Sequence, residues 1–351
     1  MSSSLQRRHF VSALAAGAAA ALPAGATSAA ATPTPLLARR LSPGDTLGLV
    51  SPANATYERE PLQLAVEALQ ALGFKVKLGA HVRGRYGQFG GSDAERAADV
   101  NAMFADDGVA GIIALTGGSG CNRIVDKLDY GLIRRQPKFF GGFSDLTCLV
   151  NAIHQQTGLV TFHCPVAGSE WNEFSVAHFK DMVMQSGELP LLKNPQGELG
   201  DKLVQTEDRI QTLRGGKARG RLLGGNLAVL SSLAGSRYWH DWRGAVLFLE
   251  DINEYIYRVD RMLSTLRLAG ALDQLAGVVL GKFTKCEPGD GNFGTLTLDE
   301  VFDDYFLPLN VPVYRGAMIG HIKRKFTLPV GAQVEIDADA GSIRLLAAAV
   351  S

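Results

Sequence analysis

The chain contains 351 residues, of which 46% are hydrophobic and 20% are charged. These values are typical of a globular protein with a substantial core, and the length suggests two domains. The 35 basic and 35 acidic side chains cancel, so the chain lacks the basic excess with which proteins displace counterions from nucleic acid. We therefore expect no nucleic-acid partner.

Residues 1–31 are predicted to be an export signal that is absent from the mature fold. Arg7 and Arg8 precede an apolar stretch rich in alanine and glycine that ends near Leu22, and small residues follow it. This pattern resembles a twin-arginine signal, although a disordered alanine-rich tail is the alternative. The apolar stretch is too short to span a membrane. We expect a periplasmic protein with no integral membrane segment after signal removal.

Short β-rich runs alternate with helical patterns from residue 42 to residue 167. In chain order the pattern predicts a strand at 46–53, a helix at 61–72, a strand at 74–82, a helix at 94–104 capped by Ser92, strands at 109–115 and 138–142, a helix at 146–156 and a strand at 159–164. Alternating βα units predict a parallel sheet covered on both faces. The fold class is therefore α/β.

The remainder of the chain divides into a polar segment and a second domain. Residues 168–216 are irregular in pattern and are predicted to be a linker with insertions. Residues 217–351 are predicted to form a smaller, mixed α+β C-terminal domain. Its predicted elements are a helix at 227–234, a strand at 245–249, a helix at 257–268, a strand at 277–280 and a hairpin of 333–336 with 342–346.

A serine stands where the predicted strand at 138–142 meets the next helix, in the sequence Gly142-Phe143-Ser144-Asp145. At such a turn a serine Oγ projects above the sheet, and the amide of Asp145 points into the same space from the helix N-terminus. Ser144 is therefore a candidate nucleophile beside half of an oxyanion hole. The elbow pattern G-x-S-x-G is incomplete because Leu146 replaces its second glycine, and a helix N-cap is the alternative role.

A second strand end, at residues 116–120, is rich in glycine. Gly117 and Gly118 can bring backbone N–H groups close to a ligand, which would complete an oxyanion hole or hold an anion. The phosphate-loop and dinucleotide patterns are absent from this stretch, so nucleotide binding is disfavoured. The alternative is a turn that needs glycine only for its backbone torsions.

Candidate acid and base residues occur in the C-terminal half. Glu250 and Asp251 follow the predicted strand at 245–249, and His321 follows a glycine. The alternative role of Glu250 and Asp251 is to cap the next turn. The alternative for His321 is that of a hydrogen-bonded structural residue, and His163 is another candidate base. The order serine, carboxylate, histidine matches that of α/β-hydrolases, but triads are defined by geometry. No Cys/His ligand cluster occurs, so we expect no metal or other cofactor.

A set of motifs follows in order along the whole mature chain. They are Gly117–Arg123 with Leu128-Asp129-Tyr130, Gly142–Thr147, Thr161–His163, Gly224–Leu227, Leu249–Glu254 with Arg258 and Arg261, Gly316, Gly320-His321 and Leu328–Gly331. Together they resemble the LD-carboxypeptidase family of muramoyl-tetrapeptide carboxypeptidases, to which the microcin C immunity peptidases are related. One departure is Ser119, where family members often have an aromatic residue.

This resemblance implies a serine peptidase with a triad of Ser144, Glu250 and His321. It implies a flavodoxin-like or Rossmann-like N-terminal domain that carries the nucleophile, with the other two residues supplied by the C-terminal domain. The implied reaction releases the terminal D-Ala from a murein tetrapeptide. Family members are commonly dimeric, so a homodimer is expected.

The resemblance also implies roles for groups around the triad. Amides of Asp145 and of the Gly117-Gly118 turn would hold the oxyanion. A cation or further backbone amides would meet the terminal carboxylate of the substrate. Arg258 is the candidate cation, with a helix salt bridge as its alternative role.

Two other functions remain open at this point. One is an immunity-type peptidase that acts on a peptidyl-nucleotide, which would need a residue such as Trp171 to stack on the base. The other is a periplasmic protein that binds murein peptides without turnover, since a fold alone does not imply catalysis.

Overall fold

A computed structural model describes residues 35–185, 187–197, 203–289, 291 and 294–351. The predicted export signal lies outside the described residues. The strands are β1 (Thr46–Val50), β2 (Lys75–Leu78), β3 (Gly111–Ala114), β4 (Phe139–Gly142), β5 (Thr161–His163), β6 (Leu191–Lys193), β7 (Gln211–Arg214), β8 (Lys217–Asn226), β9 (Val246–Ile252), β10 (Gly277–Thr284), β11 (Val313–Arg315), β12 (Leu328–Val330), β13 (Gln333–Asp337) and β14 (Ser342–Leu345).

The α-helices pack against these strands and against each other. They are α1 (Arg59–Ala71), α2 (Asp93–Ala105), α3 (Tyr130–Arg135), α4 (Thr147–Thr157), α5 (Glu173–Val183), α6 (Leu227–Ser231), α7 (Ile256–Leu268) and α8 (Leu298–Phe306). Ser92 caps α2 through a capping box with Glu95, as its position in the sequence predicts. No helix in the described ranges is long and apolar enough to cross a membrane.

The first sheet has the order β2-β1-β3-β4-β5-β12. Strands β1 to β5 are parallel, in the 2-1-3-4-5 order of flavodoxin-like folds. Every residue of β3 and β4 is buried, as expected where helices cover both faces of a parallel sheet. The predicted α/β class and flavodoxin-like N-terminal sheet are confirmed.

The second sheet has the order β6-β14-β13-β8-β9-β10-β11-β7. Its central strands β8 to β11 are parallel, and the outer strands pair antiparallel, including the predicted β13-β14 hairpin. The mixed character predicted for this half is thus observed. With eight strands against six, it is the larger of the two sheets.

The polar segment 168–216 contains regular structure. It includes helix α5 and the two strands, β6 and β7, that form opposite edges of the second sheet. Strand β6 has three residues and β7 has four, and both are largely exposed. Strands this short and polar carry too little hydrophobic alternation to be found from sequence.

The chain crosses from the second sheet to the first near its C-terminal end. Strand β11 pairs with β10 in the second sheet, whereas β12 pairs antiparallel with β5 in the first. Residues 316–327 therefore connect the two sheets. His321 lies in this connection.

Three histidines are buried in the core. Burial lowers the pKa of His154 and His163 to about 4, and it lowers the pKa of His240 well below its usual value. The His154 ring keeps a hydrogen bond to the carbonyl oxygen of Leu159, at 2.9 Å. Neither ring nitrogen of His163 has a partner among the described residues.

We expect the free energy of unfolding to fall as the pH is lowered from about 6.5 to about 4. In this window the unfolded chain binds protons that buried His154 and His163 do not, so acid favours unfolding by at most about 3 kcal/mol for each histidine. Asp251 opposes part of this trend, because burial raises its pKa to about 6 and the folded state takes up that proton first.

Denaturant unfolding at neutral pH and near pH 4.5 measures this dependence. His163→Phe should weaken it, because phenylalanine fits between the rings of Phe143 and Phe248 and takes up no proton. An unchanged pH dependence in this variant would contradict the assignment to His163.

Candidate active site

Ser144 lies at the carboxyl end of β4, at the turn that leads into α4. It begins a short 3-10 helix, Ser144–Leu146, and has a φ of +64°. A residue other than glycine rarely adopts this left-handed conformation, and such strain clusters at functional sites. The turn predicted from the sequence is therefore present and carries local strain at the serine itself.

The structure brings Ser144, His321 and Glu250 together in one hydrogen-bonded row. The Nε2 atom of His321 is 3.0 Å from the Oγ of Ser144, and its Nδ1 is 2.7 Å from the Oε2 of Glu250. Glu250 is fully buried, whereas the His321 side chain is 17% exposed. A buried carboxylate can orient the imidazole and stabilise its protonated form, and the imidazole can accept the serine proton.

The glycine loop after β3 lies directly against Ser144. A Cβ at Gly117 would be 2.9 Å from the Cβ of Ser144, so a side chain there would displace the serine. The amides of Gly117 and Gly118 donate to no other group in the described part of the chain. Asn54 holds this loop in place, since its Oδ1 accepts from the Ser119 amide at 3.0 Å. Unpaired amides beside a nucleophile suit an oxyanion.

Asp145 has a structural contact beyond the predicted use of its amide. Its buried carboxylate accepts a hydrogen bond from the Cys121 amide at 2.8 Å. Burial raises the pKa of this carboxyl group. Arg96, also buried, donates to the carbonyl oxygens of Pro52 and Gly120. These two side chains tie the glycine loop to the serine turn and to the loop after β1.

Glu250 and Asp251 differ in what they contact. Strand β9 continues to Ile252, so both carboxylates lie within the strand and not after its end at 249 as the sequence suggested. Glu250 faces His321. Asp251 accepts from Asn226 Nδ2 at 2.9 Å and from the amides of Ala228 and Ile252. Asp251 therefore anchors the start of α6 and not the histidine.

The structure does not bring Arg258 to the serine. Its guanidinium is 3.6 Å from Glu254 and lies over the rings of Tyr255 and Tyr257. Within the described residues, none of its hydrogen bonds or ion pairs reaches the triad, and it does not line the cavity above Ser144. The helix salt bridge given as its alternative is the contact observed.

Two other sequence candidates also lie apart from the row. His163 is buried beneath Phe143 and makes no hydrogen bond to Ser144. Trp171 packs its ring edge against Phe179, with ring centroids 5.2 Å apart, and donates its indole N–H to the Ala167 carbonyl. Trp171 is thus committed to packing and does not line the cavity at Ser144.

A cavity of about 660 Å³ opens above the serine. Besides Ser144 and His321, it is lined by the glycine loop, by Asn54 and by Lys325. Sequence reasoning missed Asn54 and Lys325. Asn54 follows β1, and the carboxyl ends of parallel strands meet at one edge of a sheet, which is the signal that could have found it. Lys325 belongs to a basic run that resembles an ordinary solvated face.

Gly320 allows the close approach of His321 to Glu250. It has a φ of +114°, and a Cβ there would be 2.8 Å from Oε2 and 2.9 Å from the Cβ of Glu250. We expect Gly320→Ala to lower kcat by more than about tenfold and the free energy of unfolding by about 1–3 kcal/mol. Steady-state kinetics and denaturant unfolding measure both.

Gly235→Ala is the matched control for this change. Gly235 also has a left-handed φ, +79°, but nothing lies within 4 Å of an added Cβ. This control should lose about 1 kcal/mol of stability and keep its kcat. Equal kcat losses in the two variants would show that contact with Glu250 is unimportant.

This chain is similar to family models and to known proteins. Models of the LD-carboxypeptidase N-terminal and C-terminal domains match residues 47–164 and 219–336. The probable murein peptide carboxypeptidase of Bacillus subtilis (strain 168) is 37% identical over 306 residues, which cover 85% of this chain and 91% of that protein.

Solved structures share the fold. The structure of MccF in complex with glutamyl sulfamoyl guanosine has a TM-score of 0.80 and 27% identity, covering 90% of this chain and 100% of that one. The muramoyltetrapeptide carboxypeptidase from Oxalobacter formigenes has a TM-score of 0.71 and 29% identity, covering 86% and 97% of the two chains.

The two-sheet fold, with Ser144, His321 and Glu250 in one hydrogen-bonded row, is that of a hydrolytic enzyme of the α/β class. The sequence matches cover most of the chain and identify the family within this class. The chain belongs to the LD-carboxypeptidase family, a family of peptidases. The family prediction made from the motifs is confirmed.

Proposed function

We propose that this protein is a serine-type LD-carboxypeptidase that releases the terminal D-Ala from murein tetrapeptides. The observation that carries the proposal is the row Ser144–His321–Glu250, with contacts of 3.0 and 2.7 Å, at the floor of an open cavity. The names of the B. subtilis relative and of the O. formigenes enzyme support the substrate class.

In the first half of the reaction the Oγ of Ser144 attacks the carbonyl carbon that precedes D-Ala. The Oγ proton moves to Nε2 of His321, which is already within hydrogen-bond reach. The Nδ1–H of His321 donates to Glu250, which fixes the reactive tautomer and stabilises the imidazolium. The carbon–nitrogen bond then breaks, and His321 returns the proton to the departing amine.

The tetrahedral oxyanion needs donors that are in place before the reaction. In this proposal the amides of Asp145 and of the Gly117-Gly118 turn supply them. Loss of one such donor costs on the order of 3–4 kcal/mol of transition-state stabilisation in comparable hydrolases. In the second half, water attacks the acyl-serine with His321 as the base, and Ser144 is regenerated.

Mass spectrometry of a purified muramoyl tetrapeptide incubated with the mature protein tests the reaction. We expect loss of one alanine as free D-Ala, with the tripeptide as the other product. A fluorophosphonate reagent should label the peptide that contains Ser144 and no other peptide. Labelling without tetrapeptide cleavage would contradict the substrate, and cleavage without labelling would contradict the serine mechanism.

A peptidyl sulfamoyl-nucleoside in a parallel reaction tests the immunity-type activity. The overall similarity to MccF favours this second candidate, whereas the packing of Trp171 disfavours the stacking residue it would need. Preferential cleavage of that compound over the tetrapeptide would reverse our choice. Tight tetrapeptide binding without cleavage would favour the non-catalytic alternative.

We also propose export to the periplasm, supported by Arg7 and Arg8 ahead of the apolar stretch. An exported enzyme would trim tetrapeptide stems on the wall or on released fragments. Fractionation of a Gram-negative host should find shortened protein in the periplasm, and full-length protein in the cytoplasm after Arg7→Lys with Arg8→Lys. Export of the double variant would contradict a twin-arginine signal.

A further inference from the structure

Lys325 places an ammonium group in the wall of the cavity that contains Ser144 and His321. It lies in the connection between the sheets, and its backbone amide donates to the Oγ of Ser175 at 3.1 Å. Its Nζ lies 4.5 Å from the centroid of the Phe143 ring. Because Phe143 directly precedes Ser144, this contact fixes the cation beside the serine turn.

This ammonium has no anionic partner in direct contact. In the described part of the chain, Lys325 Nζ forms no hydrogen bond or ion pair, although the residue is only 7% exposed. Burial lowers its pKa, while the carboxylates of Glu250 and Glu170 act in the opposite direction. The stem of Lys325 is buried and its ammonium faces the cavity, so an anionic ligand that enters the cavity can supply the missing partner.

The other charged groups around the cavity are already satisfied. Lys323 Nζ pairs with Glu170 Oε2 at 3.2 Å, and both side chains are largely exposed. His321 is engaged by Glu250. Arg258, the cation proposed from the sequence, pairs with Glu254 away from the cavity lining. Among the described residues that line the cavity, Lys325 is thus the cation that remains free to bind an anion.

A carboxypeptidase substrate brings an anion to this position. The terminal carboxylate carbon is separated from the scissile carbonyl carbon by one nitrogen and one Cα, a distance of roughly 3–4 Å from backbone bond lengths. A cation that lines the same cavity as Ser144, in contact with the preceding residue Phe143, can therefore meet that carboxylate while Ser144 attacks. An endopeptidase substrate would place a neutral amide there.

We propose that Lys325 binds the terminal carboxylate of the substrate and so restricts cleavage to the last residue of the peptide. This inference rests on the proposed carboxypeptidase function and assigns the recognition of its substrate class. The ammonium contributes a charge-assisted hydrogen bond, which is among the stronger polar contacts in proteins.

The test compares a tetrapeptide that ends in D-Ala with the same peptide ending in D-alaninamide. The amide removes the negative charge and leaves the scissile bond unchanged. We expect wild-type kcat/KM to favour the carboxylate, and Lys325→Met to lower kcat/KM for the carboxylate by roughly 10- to 150-fold. The same variant should change the value for the amide less than about threefold. Lys325→Arg should retain most of the preference.

Arg258→Met is the control, because it removes the rival cation; its carboxylate preference should equal that of the wild type. Equal losses on both peptides in Lys325→Met would overturn the proposal and indicate that the ammonium supports Glu250 or the fold. An unchanged preference would overturn it as well. Thermal unfolding of each variant identifies a loss of folding.

Failure of the proposed function gives a different result. In that case the wild type cleaves neither peptide. Calorimetric binding of both peptides to Ser144→Ala, with and without Lys325→Met, then decides the inference. Tighter binding of the carboxylate that requires Lys325 supports it, and equal affinity for the two peptides overturns it.

Discussion

Replacing Ser144 by alanine is expected to lower kcat for D-Ala release by on the order of 10⁴-fold or more. The change removes the only atom of the row that can form the acyl bond, while His321 and Glu250 keep their own contact. Tetrapeptide affinity should be retained, because the cavity walls are unchanged. Single-turnover kinetics and calorimetry separate the two quantities.

The fold of this variant should be intact. Alanine at position 144 adopts the same left-handed backbone at a similar energetic cost, so we expect the free energy of unfolding to stay within about 1 kcal/mol of the wild-type value. A residual rate above about one hundredth of wild type in the folded variant would point to another nucleophile. The unpaired amides of Gly117 and Gly118 would then need a role other than binding an oxyanion formed at Ser144.

Glu250→Gln is expected to lower kcat by roughly 10³- to 10⁴-fold. Glu250 is fully buried, and among the described residues its Oε2 is the acceptor that orients the Nδ1 side of His321. The amide leaves the shape of the site unchanged but removes the charge that stabilises the imidazolium. Steady-state kinetics at pH 7 measures the loss, and a kcat near the wild-type value would exclude Glu250 as the orienting residue.

The neighbouring carboxylate gives a matched control with the opposite result. Asp251→Asn weakens the acceptor that holds Asn226 and the Ala228 amide. We expect this variant to lose about 1–3 kcal/mol of stability and to keep most of its kcat while folded. If both variants lose activity to the same degree, the distinction between the two adjacent residues is incorrect.

The sequence pattern predicted the serine turn because the residues that form this turn are adjacent in the sequence. A buried strand followed by glycine and a helix start is visible within ten residues, and the structure contains β4, the strained Ser144 and α4 in that order. The partners of Ser144 could not be found in the same way. Glu250 arrives from the second sheet and His321 from the connection between the sheets. Only the family resemblance selected them over His163 and Asp251.

The sequence did not identify the cation of the cavity: it pointed to Arg258 and missed Lys325. Lys325 belongs to a run of three basic residues, a pattern typical of a solvated face, but in the fold it packs against Ser175 and Phe143 and is buried. Arg258 was chosen because the substrate needs a cation, but Glu254 stands four residues before it and forms an ion pair with it. Lys325 keeps an unpaired charge because of how the folded chain packs around it, which its position in the sequence does not show.

The crossing of the chain into β12 has a consequence for the order in which the molecule is assembled. During synthesis the serine turn leaves the ribosome long before residues 328–330, which supply the outer strand beside β5. Until then that sheet edge is open to pairing with other chains. The connection at residues 316–327, which contains His321, is anchored at only one end until β12 pairs with β5. In the proposed mechanism the base is therefore in place only after β12 has been synthesised, so a product that stops before residue 328 has a serine turn without its proposed base.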